Sequence, residues 1–177
     1  LNPSLPARNT AATIEAARGA LARGDLATVE QLCQTLITTV PDDGRAWSLL
    51  TETALRRNRP DAAMVCAERA AALSPQDPIA HIMRAKCLLL TGDAGAALKA
   101  AEAAAQIRSV SPEAEEALGA IFGILGLHGR ALGLFRRALT ARPDNAQLLF
   151  NLAATERMVG ELDAAEAHCD RAIALDA

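Results

Sequence analysis

Pro41, Pro75 and Pro143 are separated by 34 residues and by twice 34. Gly24, Gly92, Gly126 and Gly160 fall on the same period 17 residues earlier, with Asn58 in the remaining slot. A period of this length confines the chain to a repeat architecture, because a unit so short cannot bury its apolar face alone and must stack on its neighbours. Glycine and asparagine tolerate the left-handed backbone that ends a helix, so each marks a tight turn halfway through a unit. Each unit therefore predicts two helices.

Setting the frame at Thr10 gives five units, 10–43, 44–77, 78–111, 112–145 and 146–177, without an insertion, preceded by an irregular N-terminal segment over 1–9. The apolar periodicity between turns predicts helices over 11–23, 26–39, 44–57, 60–73, 78–91, 94–108, 112–125, 128–141, 146–159 and 162–175. Pro60, Pro78 and Pro112 fall at helix starts, where a missing N–H costs nothing. Asp25, Asp93 and Glu161 follow the mid-unit turns and suit the next helix's start by capping or through its dipole.

The composition agrees. There are 41 Ala and 25 Leu against three Phe, one Trp and no Tyr, with too few β-branched residues to supply a sheet. The alanines fall in columns. One reads Val29, Ala63, Ala97, Ala131, Ala165; seven residues on, on the same face, comes Leu36, Ala70, Ala104, Ala138, Ala172. Between them runs Cys33, Ala67, Ala101, Phe135, Cys169, and the first helices contribute Ala17, Thr51, Ala85, Gly119, Ala153. Small side chains in these columns let helix axes approach closely.

Period, unit and columns together resemble the tetratricopeptide repeat. Its pattern is met by Trp47 with Leu50, by Leu118-Gly119 followed by Phe122, Ala131, Phe135, Ala138 and Pro143, and by Gly160, Ala165 and Ala172. Unit one is weak, with Thr13, Ala16 and Ala20 at the large positions, and unit three departs with His81, Arg84 and Ser109 where Trp, Leu and Pro are usual. The resemblance implies an all-α, right-handed superhelical solenoid of about ten helices. The first helices would form its concave wall, a surface that binds a peptide or helical segment of a protein partner.

On that wall the frame places Arg45, Leu49, Glu52 and Arg56 from unit two, Ile79, Ile82, Met83, Lys86 and Leu90 from unit three, and Arg157 from unit five. Ile79, Ile82, Met83 and Leu90 are expected to form an apolar patch, with Arg45, Arg56 and Lys86 against Glu52 and Glu113 orienting what docks there. The alternative at these positions is that the irregular third unit turns its first helix and buries them. Ile14, Leu49, Ile79 and Met83 stand where the chaperone-binding branch of the family carries a polar carboxylate clamp, which argues against that role. Without aromatic anchors, binding is expected to be weak or to rely on avidity.

Other functions find little footing. Eighteen basic against 21 acidic residues leave a net charge of −3, which favours neither nucleic acid nor an anionic membrane, and no apolar run is long enough to span a bilayer. Cys33, Cys66, Cys87 and Cys169 lack metal-ligand spacing, so no metal or other cofactor is expected; they read as buried thiols of a reducing, cytoplasmic compartment. His81, His128 and His168 are not joined to a nucleophile and carboxylate by the frame, so the segment is not expected to be an enzyme. Residues 150–176 also resemble the last repeats before the catalytic domain of bacterial repeat-containing sulfotransferases. That resemblance implies, as an alternative, a non-catalytic recruiting or regulatory module of a larger enzyme. The last helix is expected to expose Leu162, Ala165, Cys169 and Ile173, an end open to covering by more chain or by a second copy.

Overall fold

The structure, a computed structural model, describes residues 4–107 and 111–176, with side chains from Thr10 onward. Ser109, in the third unit's Pro slot, lies outside the described residues. All ten regular elements among them are helices: α1 Ser4–Ala22, α2 Leu26–Thr39, α3 Gly44–Arg56, α4 Pro60–Leu73, α5 Pro78–Leu90, α6 Ala94–Gln106, α7 Pro112–Ile124, α8 His128–Ala141, α9 Ala146–Val159 and α10 Leu162–Asp176. The expected boundaries hold within two residues at almost every end. The exception is α1, which begins at Ser4 and so continues back through a stretch expected to be irregular.

The helices form two compact units, one through Asp93 and one from Ala94, divided inside the third sequence repeat. In the first unit α1 pairs with α2 and α3 with α4, while α3 also packs on α1, α2 and α5, and α5 on α4. In the second, α7 pairs with α8 and α9 with α10, α6 packs on α7, and α9 packs on both α8 and α7.

The period appears in the backbone as one closure made five times. Gly24, Gly92, Gly126 and Gly160 have φ between +76 and +86°, and Asn58 has φ +54°. In each case the next residue's N–H reaches back to a carbonyl five residues earlier: Asp25 to Ala20, Arg59 to Ala54, Asp93 to Leu88, Leu127 to Phe122 and Glu161 to Glu156, all at 2.8–3.0 Å. This Schellman arrangement satisfies carbonyls that the helix end would leave bare, which explains why only Gly or Asn occupies the column. Asp25, Asp43, Asp77, Ser111 and Asn145 cap helix starts with their side chains, each accepting from an N–H two or three residues on.

The alanine columns are the packed seams. Val29, Ala63, Ala97 and Ala131 are fully buried, as are Ala70, Ala104 and Ala138, while Leu36, Ala165 and Ala172 are 5–7% exposed. His81 resolves the oddity of the third repeat. Its Nε2 donates to the Pro75 carbonyl at 3.0 Å, and 34 residues earlier Trp47 Nε1 donates to the Pro41 carbonyl at 3.0 Å. A carbonyl only accepts, so His81 carries its proton on Nε2 and performs Trp47's bond with a smaller ring.

Cys33 and Cys87 are buried, Cys66 and Cys169 half-buried, and all four are free thiols. Burial pushes the Cys33 and Cys87 thiols up to about 11, with smaller contributions from Asp43 and Cys66 respectively, and it also raises Cys66. Because the thiolate is the nucleophile, iodoacetamide at about pH 8 should modify Cys66 and Cys169 well before Cys33 and Cys87. Peptide mapping that finds all four alkylated at one rate in the folded chain would contradict this packing.

Candidate functional site

In the first unit α3 lies against both α1 and α5, so these first helices of successive repeats share one wall. A helix presents positions three and four apart on one face, which places Arg45, Leu49, Glu52 and Arg56 along α3 and Ile79, Ile82, Met83, Lys86 and Leu90 along α5.

The structure divides these residues into two groups. Leu49 and Met83 are 8% exposed and Ile82 is fully buried. They are core rather than ligand-facing, a correction to the expected patch. The reason is local: first helices packed side by side cover the shared flank of each, and Leu49 joins Ile14, Ala17 and Ala46 in one apolar cluster. What remains open is Leu90, 66% exposed, with Ile79 half-buried.

The charged residues are accessible but largely occupied. Arg45 donates through Nε and Nη2 to the two Asp43 carboxylate oxygens at 3.0 and 2.7 Å. Asp43 also accepts from the Arg45 backbone N–H as the α3 cap, and these bonds hold its carboxyl below the usual range and raise Arg45. Arg56 donates to Glu52 at 2.6 Å and, across to α1, to the Leu21 carbonyl at 3.0 Å. Both arginines are therefore fixed by partners of their own. Lys86, half-buried, makes no ion pair among the described residues, and Leu90 follows it by one helical turn.

Arg157, the remaining expected residue, stands on α9 in the second unit, at the edge of a cleft of about 310 Å³ lined also by Phe150, Leu162, Ala165, Glu166 and Cys169. A neighbouring cleft of about 490 Å³ shares Phe150 and is lined by Gln147, Ala172, Ile173 and Asp176. Phe150, Leu162 and Ile173 are 58–68% exposed. Of the end residues expected to be open, Leu162 and Ile173 are, Cys169 is half-buried and Ala165 is buried.

The sequence reading missed one polar cluster. Glu156 on α9 has a side chain 1% exposed, with Oε2 2.8 Å from His168 Nδ1 on α10 and Oε1 3.5 Å from Arg136 Nη2 on α8. Arg136 also pairs with Glu161 in the α9–α10 turn. The signal was available. Position 156 is Ala20, Ala54, Leu88 and Phe122 in the other repeats, and position 168 is Leu32, Cys66, Ala100 and Leu134, so two polar residues interrupt two apolar columns of the same unit. Among the described residues no group of three or more His, Cys, Asp or Glu side chains is placed to hold a metal ion. None of the described helices is long and apolar enough to cross a membrane.

Two family models described as tetratricopeptide repeat match the chain, over residues 20–87 and 125–177. A search of curated proteins finds no match. Among solved structures, PilF of Pseudomonas aeruginosa superposes with a TM-score of 0.77 at 17% identity, over 95% of this chain and 77% of that one. TTC0263, described as a thermophilic TPR protein of Thermus thermophilus, gives 0.74 at 19%, over 94% and 91%. MamA gives 0.65 at 16%, over 94% and 91%. At these identities the likeness is one of fold.

Proposed function

The chain is built of tetratricopeptide repeats, and from that premise we propose that it is an interaction scaffold whose first unit binds a segment of a protein partner along the wall formed by α1, α3 and α5. The observation that supports this is the pair Lys86 and Leu90. Lys86 is a cation without an ion pair among the described residues, and one turn away Leu90 is a large apolar side chain in solvent, whereas Arg45 and Arg56 are held by Asp43 and Glu52. A ligand with an apolar residue next to an acidic one satisfies both, and Ile79 extends the apolar side of the contact. The fixed pairs flanking them contribute shape and exclude mismatched charge rather than supplying affinity.

Short random peptides displayed on phage and selected on the chain should be enriched in apolar residues with acidic neighbours. Lys86→Glu combined with Leu90→Asp should weaken the selected peptides by about ten-fold or more, the loss of one good contact, with thermal melting unchanged because both side chains reach solvent. Peptides that bind the double variant as tightly as the parent would overturn this assignment.

A further inference from the structure

The mid-unit turns of the second unit differ in chemistry from those of the first. In the first unit charged or hydroxyl side chains flank the left-handed residue: Arg23 and Asp25 around Gly24, Arg57 and Arg59 around Asn58, Thr91 and Asp93 around Gly92. In the second, Leu125 and Leu127 flank Gly126, and Val159 precedes Gly160. One position earlier, Ile124 is 72% exposed and Met158, its column mate, 61%. Because α8 runs back between α7 and α9, and α9 packs on both, these two turns lie side by side on one edge. Ile124, Leu125, Leu127, Met158 and Val159 give that edge an apolar patch that the repeat fold does not require, since polar groups serve at equivalent places in the first unit. The openness belongs to the repeat position and not to the last helix pair. Ile124 has a following first helix, α9, packed on its own helix, and is the more exposed of the two.

The charges around the patch point to what covers it. Arg136 pairs with Glu161 beside Gly160, and Arg130 with Glu102. Arg157 and Asp163, on either side of the α9–α10 turn, have no ion pair among the described residues and are opposite in sign. An anionic membrane or a strongly charged partner therefore finds no field to meet, whereas a second copy brings the same balanced rim and meets no like-charge penalty. The patch also matches itself. Its two turns carry Ile124 and Met158, then Leu125 and Val159, at equivalent places. A two-fold axis between the turns seats the α7–α8 turn of each copy on the α9–α10 turn of the other, a self-complementary contact made twice. We propose that the chain forms a two-fold dimer through this edge, with Ile124 of each copy packed against Met158 of the other.

So few side chains make a small contact and a weak dimer. Sedimentation equilibrium between about 10 µM and about 1 mM chain should show a reversible monomer–dimer equilibrium. Ile124→Asp and Met158→Arg each put a charge into the apolar contact and should each weaken the dimer by about ten-fold or more. Thermal melting should be unchanged in both, because both side chains reach solvent. Mixing the two variants should restore dimers: one contact of the mixed pair sets the introduced carboxylate against the introduced guanidinium, and the other keeps Ile124 against Met158. Leu90→Asp, on the first unit's wall, should leave association unchanged. The proposal is overturned by a chain that stays monomeric to about 1 mM, by dimers that survive either edge substitution, by variants that do not recover on mixing, or by a dimer lost on Leu90→Asp instead.

Discussion

Phe135→Ala should remove about 3–5 kcal/mol of unfolding free energy, the usual cost of emptying a fully enclosed aromatic site, and should reverse the sign of a second substitution, Gly119→Ala. Phe135 is 2% exposed on α8 and faces Gly119 on α7. A Cβ added at 119 would lie 2.9 Å from Cε1, 3.0 Å from Cδ1 and 3.1 Å from Cζ of the ring. A buried ring has no solvent side to swing toward, so in the parent chain this overpacking, about 1–3 kcal/mol, outweighs the roughly 1 kcal/mol that alanine gains over glycine inside a helix. Once the ring is gone the clash goes with it and only the helix gain remains. Urea denaturation of the four chains completes the cycle. Stabilisation by Gly119→Ala in the presence of Phe135 would mean that the ring yields freely and that this seam is not tightly packed.

That pair also shows what sequence reading captures and where it stops. The turns were legible because a left-handed backbone admits few residue types, so Gly24, Asn58, Gly92, Gly126 and Gly160 declare the period without help from tertiary contacts. The alanine columns were legible because close helix approach excludes large side chains. Column mates that vary together are harder to read. Gly119 is the smallest residue of its column and Phe135 the largest of the facing one, a compensation that becomes visible only when the two columns are known to touch. The wall residues were harder still. Helical spacing places Leu49 on the same α3 stripe as Arg45 and Glu52, and Ile82 and Met83 on the same α5 stripe as Lys86 and Leu90, but whether a neighbouring first helix covers a given spot depends on small rotations that no period encodes. Burial of Leu49, Ile82 and Met83, half-burial of Lys86 and exposure of Leu90 are therefore information that only packing supplies.

His168→Leu should cost about 2–3 kcal/mol, and adding Glu156→Leu should restore most of that loss. The Glu156 carboxylate is 1% exposed, and its close partner is His168 Nδ1 at 2.8 Å, while Arg136 stands off at 3.5 Å and is shared with Glu161. Removing the imidazole leaves a buried carboxylate with its remaining cation half in solvent, and breaking one side of a buried pair costs more than the pair contributes. The figure stays below the largest values known for such cuts because Arg136 can move closer and the His168 side chain is 27% exposed, so part of the interaction is screened. In the double variant no charge is stranded, and leucine suits both places: Leu88 and Phe122 hold the first column in other repeats, Leu32 and Leu134 the second. Apolar residues would then hold both columns in every repeat, and replacing a buried polar pair by well-packed apolar groups is often neutral or better. Stability of the double variant within about 1 kcal/mol of the parent is the expected result. If the two losses simply add, Glu156 and His168 act independently and no carboxylate is stranded by removing the imidazole.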